Sequence, residues 1–142
     1  FTRVARSSKE LMQHAGGSLL TLSYLGAKRT TPNYNVMGVA KAALETSVKY
    51  MSMDLGPKNI RVNAISAGPM KTLAGAAISG ARHVFRFSEK VTPLKNNPDL
   101  EQVGNAALYL LSDLSSGVSG VIHNVDGGLH SSGVPAQKDI DF

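Results

Sequence analysis

The sequence contains no cysteine and no tryptophan. The absence of cysteine excludes a disulfide scaffold, a thiol nucleophile and a thiolate metal site. No apolar run approaches the roughly 18 consecutive residues of a membrane-spanning helix. The longest run, Ala106 to Leu111, is the size of a core segment. Acid is in the minority, with Asp+Glu 10 against Lys+Arg 15, and the net charge of +5 favours an acidic partner without naming one. No initiator methionine, signal peptide or basic leader stands before Phe1, so the chain is expected to begin inside a longer sequence. What is present is the composition of a globular protein: 142 residues, 42% hydrophobic and 18% charged, enough for one ordinary domain.

The chain alternates helical and β-prone stretches. Val4 to His14 reads as a helix ending at Gly16-Gly17, and Ser18 to Ser23 as a buried strand bounded by glycine. After a polar loop at Gly26 to Thr31, Pro32 stands where a helix can begin, with Thr30 or Thr31 as its cap. Asn35 to Leu55 is the longest expected helix, with Lys41, Glu45 and Lys49 four apart on one side and Gly56-Pro57 closing it. A second strand is expected over Ile60 to Ile65, running out into Ser66-Ala67-Gly68-Pro69. Short mobile helices are expected across Lys71 to Glu89, and a helix from Pro98-Asp99 to about Ser112. A third strand, Val118 to Val125, closes at Asp126-Gly127-Gly128, and residues 131–142 form a tail without clear period. Strands alternating with helices imply an α/β fold whose parallel sheet is covered by helices on both faces.

Tyr34 and Lys41 are the sharpest chemical pair. Seven helical residues rotate about 700°, within roughly 20° of two full turns, so both side chains would face the same way, about 10 Å apart along the axis. A nearby cation favours a phenolate and lowers a tyrosine's pKa, and such a tyrosine can hydrogen-bond an oxygen that gains negative charge. Alone the pair is as readily a packed tyrosine and a snorkelling lysine. Its surroundings change the weighing. Ligands of open α/β sheets bind outside the carboxyl ends of strands, where Tyr24 and the Ser66–Pro69 loop both fall.

Four segments carry a resemblance: Leu-Thr-Leu-Ser-Tyr-Leu-Gly (20–26), Pro-Asn-Tyr-Asn-Val-Met-Gly-Val-Ala-Lys-Ala (32–42), Arg-Val-Asn-Ala-Ile-Ser-Ala-Gly-Pro (61–69) and Val-Asp-Gly-Gly (125–128). From about Gly17 to Gly128 the chain resembles the short-chain dehydrogenase/reductase superfamily. Within it the chain is most similar to the enoyl-[acyl-carrier-protein] reductases of bacterial type II fatty acid synthesis. Ordinary members of the superfamily place tyrosine four before the lysine, which here is Met37; the enoyl reductases place it seven before, as Tyr34 is, with a second tyrosine ten residues earlier, as Tyr24 is.

The resemblance implies a doubly wound, parallel-sheet Rossmann fold and the reduction of the 2,3-double bond of a trans-2-enoyl thioester on an acyl carrier protein. NADH is the implied cofactor, with NADPH as the alternative. Tyr34 would stabilise charge on the thioester oxygen, Lys41 would hold the hydroxyls of the nicotinamide ribose, and Tyr24 would line the acyl pocket. Met70, Lys71, Thr72, Leu73 and Ala74 would contact the cofactor. Ala76 and Ile78, in a substrate-binding loop from about Leu73 to Phe87, would cover the acyl chain. Arg82 and Arg86 are assigned to docking of the acidic carrier protein. A homotetramer, a bacterial cytoplasm (or an organelle stroma or matrix) and neither membrane nor nucleic acid as partner complete the expectation. His14, His83, His123 and His130 show no metal spacing and no carboxylate pattern, and Asp126-Gly127-Gly128 reads as a structural turn.

The glycine-rich turn and the selector residue of a dinucleotide site do not occur in these 142 residues. The expectation is therefore the carboxy-terminal part of a reductase domain. Two alternatives stand beside it: a 3-oxoacyl-carrier-protein reductase or other short-chain dehydrogenase, and an inactive scaffold subunit.

Overall fold

A computed structural model of the chain, which describes residues 1–72 and 80–139, turns the three apolar runs into parallel strands. These are β1 (Gly17–Tyr24), β2 (Ile60–Ala67) and β3 (Ile122–Val125), in the sheet order β1-β2-β3. The register runs from Gly17↔Ile60 to Tyr24↔Ala67, so those last two residues finish side by side at the carboxyl edge. Among the described residues four α-helices accompany them: α1 (Thr2–Met12), α2 (Asn35–Leu55), α3 (Ala81–Val91) and α4 (Leu100–Leu111).

Successive side chains of a strand point to opposite faces, and β2 divides the core in this way. Ile60, Val62 and Ala64 join Ala5, Leu19, Val48 and Leu55 in one cluster with α1 and α2. Ile65 and Ala67 join Val103 and Leu110 of α4 in the other. Helices thus cover both faces, as a near-continuously apolar parallel strand requires. Arg61 ties α4 down: its guanidinium donates to Leu110 O at 2.9 Å, Ser112 O at 3.1 Å and Ser115 Oγ at 2.7 Å, a cation at a helix carboxyl terminus. At the other end of α4, Asp99 accepts from Gln102 N and the Gln102 side chain accepts from Asp99 N, a complete capping box.

Several local expectations are corrected. β3 begins at Ile122 rather than Val118, because the Asn63 side chain takes the place of ladder partners by donating to Val118 O (2.9 Å) and accepting from Val121 N (3.0 Å). Pro32 does not open α2; the helix starts at Asn35 with Tyr34 as its N-cap and no side-chain cap. Glu45, spaced with Lys41 and Lys49 along α2, is buried and accepts from Ser23 Oγ at 2.6 Å. Of the stretch expected to form short helices, the described part carries α3 over Ala81–Val91, two residues beyond the expected end at Glu89, and residues 73–79 lie outside the described residues. His130 does have a carboxylate partner, its Nδ1 lying 2.9 Å from Oδ1 of buried Asp126, which also accepts from the backbone of Gly128 and His130. The tail is anchored by Arg29 to Ser132 O and by an ion pair between Lys95 and Asp139.

Candidate active site

Each chemical side chain is delivered by the end of an element. Tyr24 is the last residue of β1, Tyr34 caps α2 and Lys41 stands in the second turn of that helix. The two tyrosine rings meet edge to face, 5.0 Å between centroids at 65°. Both border a cavity of about 520 Å³ together with Met37, Lys41, Pro69 and Phe85. Gly68 brings the backbone in beside it: a side chain there would meet Pro98 Cδ at 2.8 Å and Asp126 Cα at 3.0 Å. Met70, Thr72 and Phe85 also border an adjoining groove of about 1150 Å³, whose wall carries Lys71, Arg82 and Arg86. Lys71 Nζ lies 5.1 Å from the Phe85 ring centroid, within reach of a cation–π contact.

The donor set suits a ligand bearing hydroxyl and carbonyl oxygens. Lys41 Nζ donates to Leu22 O at 2.7 Å, one of the three bonds an ammonium can give, while the phenols supply neutral donors. Burial raises the pKa of Tyr34 above the ordinary 10.0. Burial, and then the charge of Tyr34, raise that of Tyr24, while a hydrogen bond with the Thr31 side chain opposes the rise. Both phenols are thus proton donors at neutral pH. Among the described residues no cluster of His, Cys, Asp and Glu could hold a metal ion.

A tyrosine-capped helix over the carboxyl ends of parallel strands is an architecture with close relatives. Residues 1–130 match the family described as Enoyl-(Acyl carrier protein) reductase. The chain belongs to this enoyl reductase family. Among curated proteins it is 57% identical over 136 residues to "Enoyl-[acyl-carrier-protein] reductase [NADH] 1" of Rhizobium meliloti, covering 96% of this chain and 50% of that protein. Among solved structures it matches FabI of Candidatus Liberibacter asiaticus with a TM-score of 0.92 and 52% identity, over 96% of this chain and 52% of that one. The enoyl-(acyl-carrier-protein) reductase of Anaplasma phagocytophilum, solved in complex with NAD, matches with a TM-score of 0.91 and 48% identity, over 99% and 51%. The chain spans about half the length of the relatives it matches.

In this member of the enoyl reductase family the predicted residues fall into three groups. Tyr24, Tyr34, Lys41, Met70 and Thr72 share the cavity. Lys71, Arg82 and Arg86 line the adjoining groove. Leu73, Ala74, Ala76 and Ile78 lie outside the described residues. Two expectations about the pair are corrected. Tyr34 stands at the N-cap with φ −116°, not within the helix, so helical rotation is not what aligns it with Lys41. Its pKa is raised rather than lowered, because burial governs it while the Lys41 ammonium is drawn to Leu22 O. Sequence reasoning also passed over Gly26, on whose backbone the Tyr34 ring lies, and the buried Ser23–Glu45 hydrogen bond next to Tyr24. A glycine two residues after the strand-end tyrosine was the available signal for Gly26.

Proposed function

We propose that this chain carries the residues that reduce the 2,3-double bond of a trans-2-enoyl thioester borne on an acyl carrier protein, with NADH as cofactor and NADPH as the alternative. The observation that carries the reading is the convergence of Tyr24, Tyr34 and Lys41 on one cavity at the carboxyl ends of β1 and β2. The NADH in the name of the Rhizobium relative and the NAD in the Anaplasma structure support the cofactor. When bound, the reduced nicotinamide supplies hydride to the β-carbon of the enoyl group.

The chain's own residues do the rest. Tyr34 hydrogen-bonds the thioester oxygen as negative charge grows there, an interaction worth more in the transition state than in the ground state. Lys41, with donors beyond the one given to Leu22, holds the ribose hydroxyls and adds positive potential beside that oxygen. Tyr24 walls the acyl pocket, and Ala76 and Ile78 are assigned to the acyl chain. Met70, Lys71, Thr72, Leu73 and Ala74 are assigned to the nicotinamide and pyrophosphate region of the cofactor. The phenol, ammonium and hydroxyl donors of Tyr34, Lys41 and Thr72 suit the nicotinamide-ribose end of a dinucleotide.

The test is NADH oxidation by the full gene product with crotonyl and acetoacetyl thioesters. Turnover of the crotonyl substrate alone is expected. A preference for acetoacetyl would make the protein a carbonyl reductase, an outcome disfavoured by Met37, which lines the cavity where that chemistry places its tyrosine. No turnover with either would leave a scaffold role.

Arg82 and Arg86 are assigned to docking of the acidic carrier protein by long-range, salt-screened attraction. Reversing both charges should raise KM for carrier-bound substrate and leave a coenzyme A thioester unaffected; equal effects on both would remove the assignment. A homotetramer is proposed through α2, whose outer face exposes Val36, Val39, Tyr50 and Met53 beside small Ala43. A monomeric mass for the full gene product would defeat it. Among the described residues no helix is long and apolar enough to cross a membrane, and a bacterial cytoplasm, or an organelle stroma or matrix, is the proposed location.

A further inference from the structure

Two glycines, Gly26 and Gly38, stand beside the Tyr34 ring, and neither has a positive φ. Their value is space rather than backbone freedom. A Cβ on Gly26 would lie 2.5 Å from Tyr34 Cδ1, 2.7 Å from Tyr34 Cε1 and 3.2 Å from Tyr24 Cδ1. Ordinary contact begins at about 3.4 Å, so the Tyr34 ring rests directly on the backbone of residue 26 with the edge of Tyr24 beside it. From behind, a Cβ on Gly38 would lie 2.9 Å from Gly26 O. Glycine inside a helix is less favourable than alanine, and the carbonyl pressed against α2 accounts for its presence in the first turns of that helix.

Tyr34 is bounded by the Gly26 backbone, by Tyr24 and by the start of its own helix, where Gly38 N donates to Tyr34 O at 2.6 Å. Its remaining side faces the cavity. A methyl group at position 26 has a ring in its way and no backbone strain, and the ring has open space to yield into. The hydroxyl would move with the ring.

We infer that Gly26, seated on Gly38, is a positioning residue that sets where the Tyr34 hydroxyl meets the substrate oxygen; this rests on the reading of Tyr34 given above. The test is Gly26→Ala in the full gene product, assayed with NADH and crotonyl thioester alone and in a Tyr34→Phe background. Melting temperature and KM for NADH should hold, while kcat falls about 100-fold, the scale of a misplacement of about 1 Å. In the Tyr34→Phe background the same substitution should cost nothing further, because both changes act through one hydroxyl. The Tyr34 ring resonances, assigned by their loss in Tyr34→Phe, should shift in Gly26→Ala.

A wild-type kcat in Gly26→Ala, or an equal loss in the Tyr34→Phe background, would overturn the inference. Should Gly26→Ala fail to fold, Gly38→Ala carries the same test by pressing on Gly26 O, with a smaller loss of kcat that must likewise vanish without the Tyr34 hydroxyl. Full activity of Tyr34→Phe itself would instead overturn the functional reading, and the inference with it. Impaired Tyr34→Phe beside fully active Gly26→Ala overturns the positioning role alone.

Discussion

In its carboxyl half, α2 buries Glu45, Val48 and Leu55 against the sheet, whereas its amino half, Asn35 to Leu44, buries no residue. The amino half is located instead by directional contacts: Gly38 against Gly26 O, and Lys41 Nζ on Leu22 O. Apolar burial is non-directional and scales with area, so it stabilises without fixing an atom to a fraction of an ångström. Hydrogen bonds and close backbone approach do fix atoms, at modest net stability. One helix thus divides its labour by position, and substitutions in its two halves should be read by different instruments.

The largest effect should come from Tyr34→Phe, lowering kcat about 100- to 1,000-fold, as loss of one donor to a developing oxyanion does elsewhere, with little change in melting temperature. A comparable loss of stability in this variant would erase the distinction between the halves. Leu55→Ala should do the opposite, costing about 3 kcal/mol in denaturant unfolding while kcat per folded molecule stays constant. Glu45 stands at the boundary and sharpens the contrast. Glu45→Ala removes the acceptor of buried Ser23 Oγ, next to Tyr24, and should cost about 2 kcal/mol together with a small fall in kcat. Glu45→Gln, which keeps an acceptor oxygen, should cost less.

The smallest effect is in pH. Both tyrosines have pKa values raised in the folded state above the ordinary 10.0, so the unfolded chain loses these protons first. Their contribution is complete below about pH 10 and is lost as pH rises beyond it. The melting temperature should fall on the alkaline side, and Tyr24→Phe should flatten that fall. A steeper fall in Tyr24→Phe would contradict the burial described.

The stretches legible in the sequence were those with sharp punctuation. The bounds expected for the long helix, Asn35 to Leu55, are those of α2, because Gly56-Pro57 cannot continue it. The strands stood out through their bounding glycines, and the Asp99 start of α4 through its cap. What escaped notice depends on side chains acting out of type. Asn63 stands in for strand backbone and so displaces the start of β3. Glu45 carries charge spacing but faces a serine that only the fold brings near. The tyrosine–lysine spacing singled out two side chains that share a cavity, but through an incorrect geometry, since Tyr34 lies outside the helix. Gly26 resembled loop punctuation because ring-on-backbone contact leaves no periodic trace.

The edge-to-face contact of Tyr24 with Tyr34 also bears on the order of folding. It joins positions ten apart, whereas every rung between β1 and β2 joins positions 43 apart. A loop of about ten residues closes in roughly 10–100 ns, and each longer closure costs more entropy before its contacts repay it. Chain statistics therefore favour the aromatic contact ahead of the parallel pairing that will carry it. Tyr24→Ala, which removes that contact, should slow the folding limb of a chevron if the contact belongs to the nucleus, and quicken only unfolding if it does not.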